Sequence, residues 1–181
     1  MGDFYEKFGR RYGNGLVVPY KCDDADVLVI GYGGLALQME DAIDAAREQG
    51  YKVGGLRVRT YRPFPTEDIV KYISKVDVVG VVDRAIAMGS PTGGPLSSDV
   101  MAACHRSKQT QHTPIVPFIG GLGGRDVSFT QQMDQIKVLY ELKDKGEIPQ
   151  RKYQMWGTYW TGLKTGNKEP PRHEQVYFGD I

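Results

Sequence analysis

The chain has 181 residues, a formal net charge of +1 and two cysteines, so a single domain with extensions is expected. The near-zero charge excludes the long-range field typical of proteins that bind nucleic acid or anionic membranes. No apolar run approaches the ~18 residues of a transmembrane helix, and the N-terminal segment lacks the apolar region of a secretory signal. Cys22 and Cys104 are far apart in the sequence, so a structural zinc or iron–sulfur site within the chain is not expected. Two lone cysteines suit a reducing cytoplasm, although a disulfide between them stays open.

Residues 1–25 are predicted to form an N-terminal arm. Four aromatic side chains recur in it at helical spacing, namely Phe4, Tyr5, Phe8 and Tyr12. Neighbouring glycines argue against a long independent helix. Two interpretations stay open: the arm folds back onto its own domain, or it docks on another subunit.

A strand–helix–strand unit follows the arm. Residues 27–32 form a continuous apolar run typical of a buried strand, residues 35–49 have helical periodicity, and residues 52–59 predict the next strand. The turn after the first strand contains Gly31 and Gly33 in the pattern GxGxxA, a loose form of the dinucleotide-binding fingerprint. The pattern fits either a pyrophosphate site at the helix N-terminus or a tight turn that needs glycine for packing.

A proline-braced turn precedes the third strand. Pro63 and Pro65 each push the residue before them out of helical geometry. Thr66 is then predicted to cap a short helix, which leads into a strand at residues 76–82.

The third strand is followed by a charged pair, Asp83 and Arg84. The next loop contains Gly93 and Gly94 but no lysine after the glycines, so it is not a Walker phosphate loop. Asp83 could act as a general base, and Arg84 could bind an anion. Alternatively, both residues pair with neighbouring loops and fix the edge of the sheet.

A second glycine-rich loop ends the fourth strand, which is predicted at residues 114–119. Its glycines are Gly120, Gly121, Gly123 and Gly124. Such a loop predicts a backbone that turns with positive φ or approaches another group very closely. Arg125 could hold a carboxylate or phosphate, or it could form a salt bridge with Asp126, Asp83 or a neighbouring subunit.

The last helix is predicted at about residues 129–143, with Ser128 or Asp126 as its cap. An aromatic, extended tail follows at residues 147–181. It holds both tryptophans of the chain, Trp156 and Trp160. Tryptophan is enriched at the centres of interfaces, so the tail is predicted to cover a surface.

Strands that alternate with helices predict an α/β domain at residues 26–146, with a small, open, mainly parallel sheet and helices on both faces. The residues alone show no nucleophile–base pair, no metal-ligand spacing and no phosphate loop. The candidate binding positions are therefore the loops that follow the strands, together with the two tryptophans. In open α/β sheets, ligands and partner chains dock at this edge.

Five motifs in a fixed order carry a family resemblance. They are FGRRYG, PYKCDDADVLVIGYG, EQGYKVGGLRVRTYRPFP, VVGVVDRAIAMGSPTGGPL and PIVPFIGGLGGRDV. Each motif alone is weak, but their order and spacing are specific together. From about Phe4 to Val127 the chain resembles the C-terminal part of the alpha subunit of 2-oxoacid:ferredoxin oxidoreductases, the pyruvate:ferredoxin oxidoreductase family. The resemblance does not extend to the tail from about Arg151.

The resemblance implies a fold of the transketolase C-terminal type. It also implies oxidative decarboxylation of a 2-oxoacid, usually to an acyl-CoA, with electrons passed to ferredoxin or a similar acceptor. In that family thiamine diphosphate and Mg²⁺ lie between a pyrimidine-binding domain, which precedes this segment, and the beta subunit. The [4Fe–4S] clusters lie in other domains or subunits.

No catalytic, cofactor-binding or metal-binding residue on this chain is therefore implied. The chain would be the assembly-forming part of an alpha subunit that is either split over two polypeptides or longer than this segment. The expected partners are the pyrimidine-binding alpha part and the beta, gamma and delta subunits, in the cytoplasm, without nucleic acid or membrane.

Two alternatives to this interpretation stay open. The chain could be a component of another thiamine enzyme, of the transketolase or 2-oxoacid dehydrogenase type. It could also be a stand-alone nucleotide-binding α/β protein that uses the turn at Gly31. Within the resembled family, the 2-oxoacid itself stays open among pyruvate, 2-oxoglutarate, oxalate and aryl glyoxylates.

Overall fold

The centre of the fold is a mainly parallel β-sheet, seen in a computed structural model that describes residues 2–10, 14–145, 154–156 and 176–177. The strands are β1 (Val17–Tyr20), β2 (Val27–Tyr32), β3 (Val53–Val58), β4 (Val78–Asp83), β5 (Ile115–Gly120), β6 (Gln154–Trp156) and β7 (Val176–Tyr177). The helices are α1 (Gly2–Phe8), α2 (Gly33–Glu48), α3 (Thr66–Ile73), α4 (Pro95–His105) and α5 (Phe129–Lys145), with a 3₁₀ turn at Leu122–Gly124. All four predicted strands are confirmed, each within two residues of its predicted ends.

The strand order is β1-β3-β2-β4-β5-β6-β7. Strands β3, β2, β4, β5 and β6 are parallel, whereas β1 and β7 pair antiparallel at the two edges. The α/β class and the mainly parallel sheet are thus confirmed. Strand β1 comes from the predicted arm, and β6 and β7 come from the predicted tail, so both peripheral segments add strands to the sheet.

Two apolar cores lie on opposite faces of the sheet. One packs α2 and α5 against the strands and contains Met39, Ile43 and Leu139. The other packs α3 and α4 against the opposite face and contains Ile69 and Val100. Because both faces are covered, the central strands β2 and β4 are almost wholly apolar, and every residue of β4 is buried.

The N-cap of α5 was predicted correctly from the sequence, and the N-cap of α3 was not. The hydroxyl of Ser128 accepts the backbone N–H of Gln131 at 3.3 Å, and the Gln131 side chain accepts the N–H of Ser128 at 2.9 Å. This reciprocal pair confirms Ser128 as the cap of α5. The prediction of Thr66 as an N-cap was wrong, because the carbonyl of Pro65 already accepts the helical N–H of Ile69 at 3.0 Å.

Helix α1 has no buried residue. Its aromatic side chains Phe4, Tyr5 and Phe8 are 41%, 49% and 62% exposed. These exposures concern the described residues, and both interpretations of the arm stay predictions. Among the described helices, none is both long and apolar enough to cross a bilayer.

Candidate functional site

Within the described residues, the predicted glycines and charged candidates lie at one edge of the sheet, where the parallel strands end. Strand β2 leads into α2 on one face, and its neighbour β4 leads into α4 on the opposite face. The chain thus leaves neighbouring strands in opposite directions, the arrangement that places the ligand crevice of open α/β sheets at the carboxyl ends of such strands. We call this edge the carboxyl rim and define it as residues 32–38, 59–66, 84–95 and 121–129.

Asp83, the last residue of β4, is a buried structural anchor. Its side chain has 0% exposure and accepts three hydrogen bonds from the start of α4. The donors are the backbone N–H of Leu96 (2.9 Å), the N–H of Ser97 (2.9 Å) and the Ser97 hydroxyl (2.7 Å). Burial raises the pKa of the Asp83 carboxyl, while the hydrogen bonds from Ser97 and Leu96 oppose this rise. A carboxyl so enclosed has no room for a substrate, which favours the structural interpretation over the general base.

Gly94 is required by the position of the Asp83 side chain. A Cβ atom at residue 94 would lie 2.1 Å from Cγ and 2.2 Å from Oδ2 of Asp83, far inside van der Waals contact. The backbone of Gly94, with φ of −98° and ψ of 165°, is extended and open to any residue. The glycine is therefore explained by the close approach of the carboxylate rather than by backbone freedom.

Arg84 joins the loop after β4 to the loop after β5. Its Nη2 donates to the backbone carbonyl of Arg125 at 3.0 Å. Gly121 has a φ of +71°, and a Cβ there would lie 2.9 Å from Arg84 Nε and 2.9 Å from the Arg125 carbonyl oxygen. The predicted positive φ and close approach are both found at Gly121, and the approaching group is Arg84.

The Gly31 turn is a close strand–helix contact. A Cβ at Gly31 would lie 3.3 Å from the Cβ of Ala36 in the first turns of α2. Gly33 has a φ of +63°. The Tyr32 side chain makes no capping hydrogen bond to α2. These contacts explain both glycines by packing and turn geometry.

An aromatic and ionic cluster at the rim was not found by sequence reasoning. The hydroxyl of Tyr61 donates to Asp99 Oδ2 at 2.7 Å, and Arg62 Nη2 donates to the same oxygen at 2.8 Å. The Arg62 guanidinium also lies 4.3 Å from the centroid of the Tyr61 ring. Burial, and secondly the bond to Asp99, raise the pKa of Tyr61. No local signal links these residues, because Asp99 lies 38 positions after Tyr61.

The other predicted positions are distributed as follows. Gly93 is buried with a φ of +81°, and Gly123 and Gly124 are exposed with φ of +68° and +80°. Gly120 ends β5 and pairs with Trp156 of β6. Arg125 and Asp126 are exposed, and Trp160 lies outside the described residues.

The described residues offer no ligand set for a metal. No group of three or more His, Cys, Asp or Glu side chains converges within that part of the chain. Cys22 and Cys104 are both free and buried. Since the sequence holds only two cysteines, it cannot supply the four thiolates of a [4Fe–4S] cluster.

Comparisons with solved structures support the fold. A split-gene transketolase, solved as an inactive beta4 tetramer, aligns with a TM-score of 0.57 at 14% identity, covering 74% of this chain and 44% of that chain. The 2-oxoglutarate:ferredoxin oxidoreductase from Magnetococcus marinus, solved with 2-oxoglutarate, coenzyme A and succinyl-CoA, aligns with a TM-score of 0.52 at 20% identity, covering 75% and 21%. At these identities the likeness concerns the fold, and it confirms the transketolase-type architecture.

Sequence comparison identifies the family. Pyruvate synthase subunit PorA of Pyrococcus horikoshii is 35% identical over 164 residues, which are 91% of this chain but 38% of PorA. The chain thus spans well under half the length of that relative. The family model described as pyruvate:ferredoxin oxidoreductase core domain II matches residues 25–132, the segment that contains β2–β5 and the rim. The chain therefore belongs to the pyruvate:ferredoxin oxidoreductase family.

Proposed function

We propose that the chain is part of a subunit of a 2-oxoacid:ferredoxin oxidoreductase. The complex would oxidatively decarboxylate a 2-oxoacid, usually to an acyl-CoA, and pass electrons to ferredoxin or a similar acceptor. The observation that carries this proposal is the core domain II match over residues 25–132, which coincides with the described sheet and its rim. The similarity to PorA over 91% of the chain supports it.

Within that complex, the chain has a structural role and carries no reacting group. Two of the charged residues that the sequence singled out hold the rim together. Asp83 accepts three hydrogen bonds from α4, and Arg84 donates to the carbonyl of Arg125. Thiamine diphosphate, Mg²⁺ and the [4Fe–4S] clusters would be bound by other parts of the complex.

The expected partners are the pyrimidine-binding alpha part and the beta, gamma and delta subunits, with ferredoxin or a similar acceptor bound by the complex. Two free thiols, both buried, agree with a location in the cytoplasm.

A native purification tests the proposal. The tagged chain is expressed in its source organism, isolated without oxygen, and analysed for subunit masses, iron and thiamine diphosphate. We expect a brown multisubunit complex that reduces a viologen dye when CoA and one of four 2-oxoacids are added: pyruvate, 2-oxoglutarate, oxalate or phenylglyoxylate. A colourless monomer without thiamine would contradict the proposal. If that monomer bound NADPH in a titration, the function would move to the Gly31 turn.

A further inference from the structure

Exposed apolar side chains gather at the carboxyl rim. Leu37 is 54% exposed, Met88 is 87% exposed and Phe129 is 51% exposed. They follow β2, β4 and β5, which are consecutive strands of the sheet. The other large hydrophobic side chains exposed in the described part of the chain all lie on α1. Single exposed apolar residues are normal on a protein surface, whereas several that follow neighbouring strands at one edge make that edge a candidate interaction surface.

All the basic residues of the carboxyl rim are arginines. Its four segments contain four arginines and no lysine, and all four arginines are exposed: Arg59, Arg62, Arg84 and Arg125. Asp126 is the only acidic residue on these segments. Acids also lie just beyond the segments: Glu67 is exposed, Asp99 accepts from Arg62, and Asp68 accepts from Asn14 at 3.0 Å. Arginine, methionine and aromatic residues are enriched in protein interfaces, and lysine is depleted.

Hydrogen bonds within the chain also tie the rim loops to each other and to α4. Asp83 fixes the loop after β4 to α4, and Arg84 fixes it to the loop after β5. Binding to a surface whose loops are already ordered loses little conformational entropy. Met88 lies in the loop between β4 and α4, and the Asp83 hydrogen bonds join the two ends of this loop.

We infer that the carboxyl rim docks an acidic surface of another subunit, with Met88 seated in an apolar recess of that subunit. This inference rests on the proposed function, since it needs a multisubunit complex. A second copy of the chain fits the rim poorly, because a symmetric contact would place the rim arginines of one copy against those of the other. The methionine side chain is flexible and polarizable, so it can fill an irregular apolar recess on the partner.

Variants at Met88 in the complete complex test the inference, because a residue with 87% exposure can change without disturbing the core. Met88→Glu and Met88→Lys place opposite charges at one position. Ala102→Glu, on the exposed surface near the far end of α4, is the control for an added carboxylate. The measurement is the apparent dissociation constant of the complex on dilution, followed by mass photometry at low and moderate salt.

Met88→Glu is expected to weaken the complex at least tenfold, Met88→Lys less than Met88→Glu, and Ala102→Glu less than twofold. If Met88→Glu matches the Ala102→Glu control, the rim is not the docking surface. If Met88→Lys weakens the complex as much as Met88→Glu, the partner surface is not acidic. If the isolated chain self-associates and Met88→Glu abolishes this, the occupant is a second copy and the inference is overturned. Failure of the proposed function is distinct, because the wild-type chain would then purify without thiamine, iron or other subunits.

Discussion

Replacing Gly94 by alanine tests whether the Asp83 anchor stabilises the fold. The added methyl carbon would lie 2.1 Å from Asp83 Cγ and 2.4 Å from Asp83 Cβ. An ordinary contact between carbon atoms needs about 3.5 Å, so the side chain must move by more than about 1 Å. The three hydrogen bonds to Asp83, at 2.7–2.9 Å, do not survive such a shift together.

The expected loss follows from those bonds. A hydrogen bond to a charged group contributes about 1.5–3 kcal/mol, and a buried acceptor that loses its donors keeps its desolvation cost. If two of the three bonds fail, Gly94→Ala lowers the free energy of unfolding by about 3–6 kcal/mol. The backbone at Gly94 is not strained for alanine, with φ at −98°, so the loss comes from the side-chain contact alone.

Equilibrium unfolding in urea, followed by circular dichroism, measures the change. The matched control is Gly34→Ala, where an added Cβ would meet nothing within 4 Å. Because Gly34 lies in α2, the control is expected to be neutral or more stable by up to about 1 kcal/mol. The reasoning would be refuted if Gly94→Ala unfolded within about 0.5 kcal/mol of the wild type, which is the usual range of a surface substitution.

A double-mutant cycle locates the cause. Asp83→Gly removes every Asp83 atom that the new methyl group would meet, so Gly94→Ala should cost much less in that background. An equal cost in both backgrounds would mean that the clash lies elsewhere in the loop.

Two further predictions concern the helices on the α2–α5 face. Ser128→Ala removes the cap of α5 and should lower the free energy of unfolding by about 1 kcal/mol, whereas Thr130→Ala, an exposed change two residues further on, should have little effect in the same urea assay. At Asp44, the hydrogen bond from Lys21, at 2.6 Å, holds the pKa of the carboxyl below its ordinary value. A lowered pKa in the folded state stabilises the protein above pH 3.8, the ordinary value, and this stabilisation is lost as the pH falls through the folded pKa. The stability difference between the wild type and Asp44→Asn should therefore shrink as the pH falls, measured by unfolding at a series of pH values. A difference that grew would contradict the assignment. Asp41→Asn on the same helix controls for the loss of a charge.

The sheet could be predicted from the sequence because burial on both faces leaves a direct mark on each strand. The runs 27–32 and 76–82 are almost wholly apolar, and in the structure both strands lie inside the sheet between covered faces. Strands β6 and β7 carry no such mark. Each has only two or three residues, too few for a periodicity to show.

The helix caps show where local chemistry decides and where it does not. Ser128 and Gln131 form a reciprocal pair three residues apart, a spacing that can be read from the sequence. At α3 the same reasoning placed the N-cap one residue too late, because the first helical hydrogen bond is accepted by the carbonyl of Pro65. Proline suits the start of a helix by its fixed φ, so a threonine directly after it is already inside the helix.

The sequence left open that Asp83 and Arg84 pair with neighbouring loops, but it could not name their partners, because each contact joins residues that only the fold brings together. Asp83 and Ser97 are 14 positions apart, and Arg84 and Arg125 are 41 positions apart. The sequence did show that the rim glycines needed a reason, and it offered a bound phosphate or a partner as candidates. In the structure the groups that approach Gly94 and Gly121 belong to the chain itself, a carboxylate in one case and a guanidinium in the other.

This origin of the glycines bears on how such loops are interpreted in other α/β proteins. A glycine at a strand end excludes a side chain, but it does not say whether a ligand or the protein fills the space. Here a neighbouring charged side chain fills it, and that side chain also forms hydrogen bonds within the chain. What the rim still presents to a partner is therefore the layer outside those bonds, where Met88 and Phe129 lie exposed. The glycines and charged residues that stood out in the sequence hold the rim loops in place. Met88 and Phe129, which did not stand out, are exposed at the rim, where a partner would contact them.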